Sequence, residues 1–88
     1  MFELEKFRAQ IDCIDEQIIF LLAKRFEIVK KIWEYKKFQG MSTLQKSRWE
    51  QVLKDRKELA KKMWLSSDFI EKLRNEIHKY SLEMQDNI

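Results

Sequence analysis

The sequence predicts an all-α protein, one long helix followed by two shorter ones. Three observations carry that reading. The 88 residues include no proline and one glycine, Gly40, so the turn chemistry of a β-rich chain of this size is missing. Apolar residues recur at steps of three and four along most of the chain. Hydrophobic residues make up 44% and charged residues 38%, a balance that suits soluble amphipathic helices and argues against disorder.

The first helix is expected from Phe2 to about Phe38. Leu4, Phe7, Ile11, Ile14, Ile18, Leu21, Ile28 and Ile32 form its stripe, with one place missing, which Arg25 occupies. At 1.5 Å per residue this helix is roughly 55 Å long. A compact domain of this size has a radius of gyration near ~12 Å. Such a helix cannot bury its stripe against the remaining residues alone, and a single core is marginal in so short a chain. The expectation is therefore one domain, residues 1–88, that pairs as an intertwined helical homodimer.

Gly40 is the expected C-cap of this helix. Ser42 with Gln45, or Ser47 with Glu50, can form the capping box of a second helix carrying Trp49, Val52, Leu53, Leu59, Ala60 and Met63. A break follows at residues 64–67. Ser66 or Ser67 then caps a third helix, with Asp68 in its first turn and an apolar stripe of Phe69, Ile70, Leu73, Ile77 and Met84.

Composition excludes several kinds of chemistry. A formal charge of +3, with Lys and Arg spread along every segment, does not form the concentrated patch that nucleic acid requires. The run Ile18–Ala23 is too short to span a membrane, and the charged opening Met1–Lys6 is no signal peptide. One cysteine, Cys13, allows no internal disulfide and fits a reducing, cytoplasmic setting. One histidine, His78, and one cysteine cannot make a metal site of the common kinds, and one glycine cannot make a phosphate loop. No cofactor is expected, so any chemistry would use fixed charges and hydrogen bonds.

Six polar residues stand out. Arg25 sits in an apolar stripe, where it either snorkels or pairs with a carboxylate, or else forms an anion site within the bundle. Lys36 is eleven residues on, within about 20° of Arg25 around the helix, so Arg25, Ile32 and Lys36 share a face. Arg8 is roughly 25 Å from Arg25 along the axis. The two can clasp one small ligand only across an antiparallel pair of helices; otherwise Arg8 is an ordinary surface arginine. Ser81 and Gln85 lie one turn apart on the last helix, as site residues or as a fraying terminus. Arg48, in the first turn of the second helix, is mildly unfavourable for a cation.

These residues resemble the AroQ-class, all-helical chorismate mutases. Phe7-Arg-Ala-Gln-Ile-Asp-Cys-Ile-Asp15 is similar to the family's L-R-x-x-I-D-x-I-D, and Leu21-Leu-Ala-Lys-Arg25 to its L-L-x-x-R. Lys36, Arg48 and Ser81-Leu-Glu-Met-Gln85 fall where its lysine, second-helix arginine and S-x-x-x-Q fall. The resemblance runs from about Leu4 to Gln85 without a gap. It implies an intertwined homodimer with two sites, each lined by both chains, and the rearrangement of chorismate to prephenate. It further implies that Arg25 and the other copy's Arg8 hold the substrate carboxylates. Lys36 would contact a carboxylate and the ether oxygen, and Gln85 would donate to that oxygen. Arg48 and Ser81 would complete the polar lining.

The sequence departs from the family at one end of the site. A glutamate normally follows the second-helix arginine, where this chain has Trp49, and Gln45 replaces a common aspartate. In the family that glutamate accepts from the ring hydroxyl, whereas an indole donates but cannot accept. Glu50 is adjacent but turned about 100° away. Trp49 is then packing alone, with Gln45 or backbone groups binding the hydroxyl, or the substrate differs. The isochorismate-pyruvate lyases share the fold and also lack the glutamate, and aminodeoxychorismate mutases are a further alternative. A non-enzymatic reading is a helical regulatory subunit, with Trp33, Trp49 and Trp64 as partner contacts instead of core.

Overall fold

The computed structural model describes residues 2–40 and 46–86, with the side chains of Lys46 and Asp86 left aside. These residues form three α-helices and no strand: α1 (Phe2–Gln39), α2 (Lys46–Lys62) and α3 (Ser67–Asp86). The proposed Ser42–Gln45 capping box lies outside the described residues. The Ser47–Glu50 alternative does not hold, because α2 already begins at Lys46 and Ser47 sits inside its first turn. The chain divides into two compact units, Met1–Ile32 and Trp33–Ile88, with the boundary inside α1.

In the first unit α1 runs without a breaker, and its ends suit the helix macrodipole. Glu3 and Glu5 lie in the first turn, with Lys36 and Lys37 in the last turn beyond the boundary. No residue of α1 is buried. Every apolar member of the stripe from Leu4 to Ile32 is exposed, from 45% at Ile32 to 67% at Leu21. A second line, Leu22, Phe26, Val29 and Trp33, is half-buried and lies about 100° around the helix from the first, with half-buried Lys36 between the two. The single stripe read from the sequence is therefore only one side of a wider apolar face.

In the second unit, Gly40 closes α1 as expected. Its φ of 69° is left-handed, and its N–H donates to the Lys37 carbonyl at 3.2 Å. Nothing stands within 4 Å of where a Cβ would lie, so conformation alone calls for glycine there. α2 and α3 form the helix–helix contact. Two pairs fix its direction. Lys57 on α2 meets Glu71 on α3 at 3.4 Å, and Trp49 meets His78. Moving back along α2 moves forward along α3, so the hairpin is antiparallel. The ion pair is part-exposed and worth at most ~1 kcal/mol; its use is to fix register.

The face of α2 that meets α3 carries Trp49, Val52, Leu53, Lys57 and Ala60. Leu59 and Met63, expected on the apolar stripe, are 51% and 64% exposed and lie off that face. On α3 the covered positions include Ile70, Arg74, Ile77, His78, Ser81 and Met84, whereas Phe69 and Leu73, both expected on its stripe, are exposed. Among the described residues only Ala60 and Ser81 are buried, at 3% and 5% exposed. They are small, so the hairpin is held by close backbone approach and half-covered side chains.

The turn of the hairpin satisfies its own backbone. Leu65 N–H donates to the Ala60 carbonyl at 2.8 Å and Trp64 N–H to that of Lys61 at 3.2 Å, a Schellman closure of α2. Ser66, not Ser67, caps α3, its Oγ accepting from the Phe69 N–H at 3.2 Å. The closure requires a left-handed residue, and that residue is Trp64, with φ 62°. Core packing, the plainer expectation for this tryptophan, is overturned: Trp64 is 95% exposed. A bulky side chain in this conformation costs ~1–2 kcal/mol. Glycine relieves that strain but loses ~0.5–1 kcal/mol through its freer unfolded state. Trp64→Gly is therefore expected to stabilise the protein by about 0.5–1 kcal/mol in a denaturant titration. A fall in stability would mean that the indole is held by contacts that its exposure does not suggest.

Candidate active site

The antiparallel hairpin brings Trp49 of α2 against two residues of α3, and all three belong to the second unit. The indole and the His78 ring lie 4.6 Å apart between centroids, tilted at 50°. That separation falls within the range where aromatic pairs attract by ~0.5–1.5 kcal/mol beyond the area they bury. The Arg74 guanidinium carbon stands 4.6 Å from the centroid of the same indole, close enough for a cation–π contact. Arg74 and His78 are four residues apart, so they project from successive turns of one α3 face. Trp49, Arg74 and His78 are all half-buried. Desolvation of this kind strengthens a cation–π contact over its exposed value.

The same face of α3 carries two of the predicted site residues. His78, Ser81 and Gln85 follow at steps of three and four. Ser81 is buried and Gln85 half-buried, so neither belongs to a frayed, solvated terminus. Lys36, near the C-terminus of α1 in the same unit, is half-buried too, whereas Arg48 on α2 is exposed. Gln45 lies outside the described residues. Arg25 and Arg8 are exposed in the first unit.

The sequence reading does not place Arg74 and His78 beside Trp49, although a signal for Arg74 is present. Ile70, Arg74, Ile77, Ser81 and Met84 step by four, three, four and three, and half-buried Arg74 interrupts that series as exposed Arg25 interrupts the stripe of α1. The sequence alone points to His78 only as a possible metal ligand. What the sequence could not supply was the antiparallel register that sets both against Trp49. An open groove of about 370 Å³ runs elsewhere on α2, lined by Glu50, Leu53, Lys54, Lys57, Glu58 and Lys61. It holds none of the predicted residues. Among the described residues, no group of His, Cys, Asp or Glu could hold a metal ion, and no helix is long and apolar enough to cross a membrane.

A three-helix chain with basic and amide side chains on α1 and α3 is the frame on which known proteins can be compared. The family model for chorismate mutase type II matches residues 7–86, nearly the whole chain, and the protein belongs to that family. The T-protein of Enterobacter agglomerans is 35% identical over 69 residues, which is 78% of this chain. The chain spans only 18% of that relative's length. No solved structure matches the chain.

The clustering of Trp49 with Arg74 and His78 has a consequence for stability. Truncating a buried tryptophan costs ~3–5 kcal/mol, and about half of that is expected for a half-buried one. Trp49→Ala should therefore lower unfolding free energy by roughly 2 kcal/mol in urea, with Trp49→Phe losing less. A loss below about 0.5 kcal/mol, the size of an ordinary surface change, would show that this contact does not hold α2 to α3.

Proposed function

We propose that the chain catalyses the rearrangement of chorismate to prephenate, in a site shared between two copies. The observation that carries this is the family match over residues 7–86. The ordered set Arg8, Arg25, Lys36, Arg48, Ser81 and Gln85 supports it. On this reading Arg25 and the second copy's Arg8 bind the two carboxylates and fix the compact reactive conformer, which removes orientational entropy from the barrier. The breaking C–O bond leaves negative charge on the ether oxygen. Lys36 and Gln85 donate to that oxygen, and their half-buried positions favour an interaction that grows as the charge does. Arg48 and Ser81 complete the lining. No step needs a covalent intermediate or a cofactor.

The second copy enters through the exposed stripe of α1. Eight large apolar side chains, each roughly half exposed, leave on the order of 700 Å² of apolar surface in one line. A monomer's largest such patch is about 300–600 Å², and one side of a standard interface is about 800 Å². An antiparallel second copy would cover the stripe. It would also bring one chain's Arg8 towards the other's Arg25, which lie roughly 25 Å apart on a single helix.

Trp49 favours keeping a second substrate in view. It stacks on Arg74 and His78 at the position where the family has a glutamate, and its indole cannot accept from a ring hydroxyl. An isochorismate-pyruvate lyase would release pyruvate and salicylate from isochorismate, with the same carboxylate clamp. Offering both substrates and identifying the products separates the two.

Removing one donor to the developing charge typically lowers kcat by about 10²–10³. Lys36→Ala is expected to show a loss of this size, and Arg25→Ala a loss dominated by weaker substrate binding, each in a variant that stays helical. Absence of chorismate consumption by fresh wild-type protein would sink the mutase reading. In sedimentation the wild type is expected to be a dimer at micromolar concentration, and Ile14→Asp, in the middle of the stripe, should shift it towards monomer. A monomeric wild type under those conditions would remove the shared site.

A further inference from the structure

We propose that His78 is a specificity-determining residue of this site, an imidazole nitrogen accepting the hydrogen bond of the substrate's ring hydroxyl. The inference rests on the mutase reading above and names how that site recognises the ring. It follows from which atoms can accept among the described residues at this end of the site, which leave Gln45 aside. Trp49 carries only an N–H donor, and the Arg74 guanidinium carries only donors. His78 touches Trp49, with ring centroids 4.6 Å apart, and alone among the three has a nitrogen with a free lone pair when neutral. Glu50 is a carboxylate, but it is exposed and turned about 100° from Trp49 around α2. Ser81 is 5% exposed, and Gln85 is already assigned to the ether oxygen.

Placement supports the same residue. His78 shares the α3 face of Ser81 and Gln85, one and two turns before them, so the proposed ring contact and ether contact come from one rigid helix. It is half-buried, accessible enough to meet a ligand and covered enough for a hydrogen bond to count. The Trp49 stack holds the imidazole, and Arg74 holds the indole from the neighbouring turn.

The test uses the purified full chain with two substrates: chorismate, and its ring methyl ether, whose oxygen can no longer donate. Wild-type protein is expected to show a KM for the ether about tenfold or more above that for chorismate, the usual scale for a buried polar group left unpaired. His78→Phe keeps the stack and removes the acceptor. It should raise KM for chorismate by about the same factor, with kcat within roughly threefold, while the ether is handled as by wild type. His78→Gln, whose amide oxygen can accept, should recover most of the chorismate affinity.

The proposal is overturned if wild type handles the two substrates alike, which needs no variant to fold. It is equally overturned if His78→Phe leaves the chorismate KM unchanged, or if both substrates lose equally in that variant, since packing alone would then be the cause. Wild type that consumes no chorismate overturns the mutase reading and this inference together. Active wild type with indifferent His78 variants overturns this inference alone.

Discussion

The constraint on which the rest depends is an uninterrupted helix that exposes its own apolar stripe. α1 has 38 residues and not one of them is buried. With no proline or glycine inside it, the helix cannot fold back to hide Leu4 to Ile32 against itself. The chain has two routes to cover apolar surface. One is the half-covered line from Leu22 to Trp33, and the other, on the reading proposed above, is a second copy. The contact between α2 and α3 is small by comparison, with two small buried residues and a ring of half-covered ones. Stability and the proposed chemistry then share one requirement, since the surface that needs covering also carries Arg8 and Arg25.

Much of the fold was legible in the sequence because helix signals are local. Gly40 and Ser66 act through their own neighbours' backbone, and both end or begin helices as expected. Absence of turn residues left few alternatives to helix. The errors came from longer range. Leu59, Met63 and Phe69 have helical spacing and apolar character, yet periodicity gives only a relative phase, and the packed face is chosen by the partner helix. Trp64 is a sharper case. Nothing in its composition announces a left-handed residue, because the demand comes from the closure of α2 and is met against the preference of the side chain.

The candidate site divides in the same way. Arg25 stood out as a charge in an apolar series, a contrast visible in one dimension. Arg74 makes the same contrast in α3, but its neighbours are more mixed and the contrast is weaker. The meeting of Trp49 with His78 and Arg74 depends on the antiparallel register of two helices, which no local pattern encodes. Replacing a carboxylate by an indole looked like the loss of a function at position 49. Beside an imidazole and a guanidinium it reads as a change of the whole polar environment at that end.

Trp64 has one more consequence. The chain carries three indoles in three settings: Trp64 exposed at the hairpin turn, Trp49 half-buried against His78 and Arg74, and Trp33 half-covered on α1. Their fluorescence therefore separates by wavelength and by quenching. Trp64 sets the red, solvent-relaxed part of the emission and hardly responds to events around His78, whereas Trp49 is within van der Waals reach of two groups that alter excited-state lifetime. The protein thus carries an internal reference and a local reporter, and changes around His78 can be followed without a label.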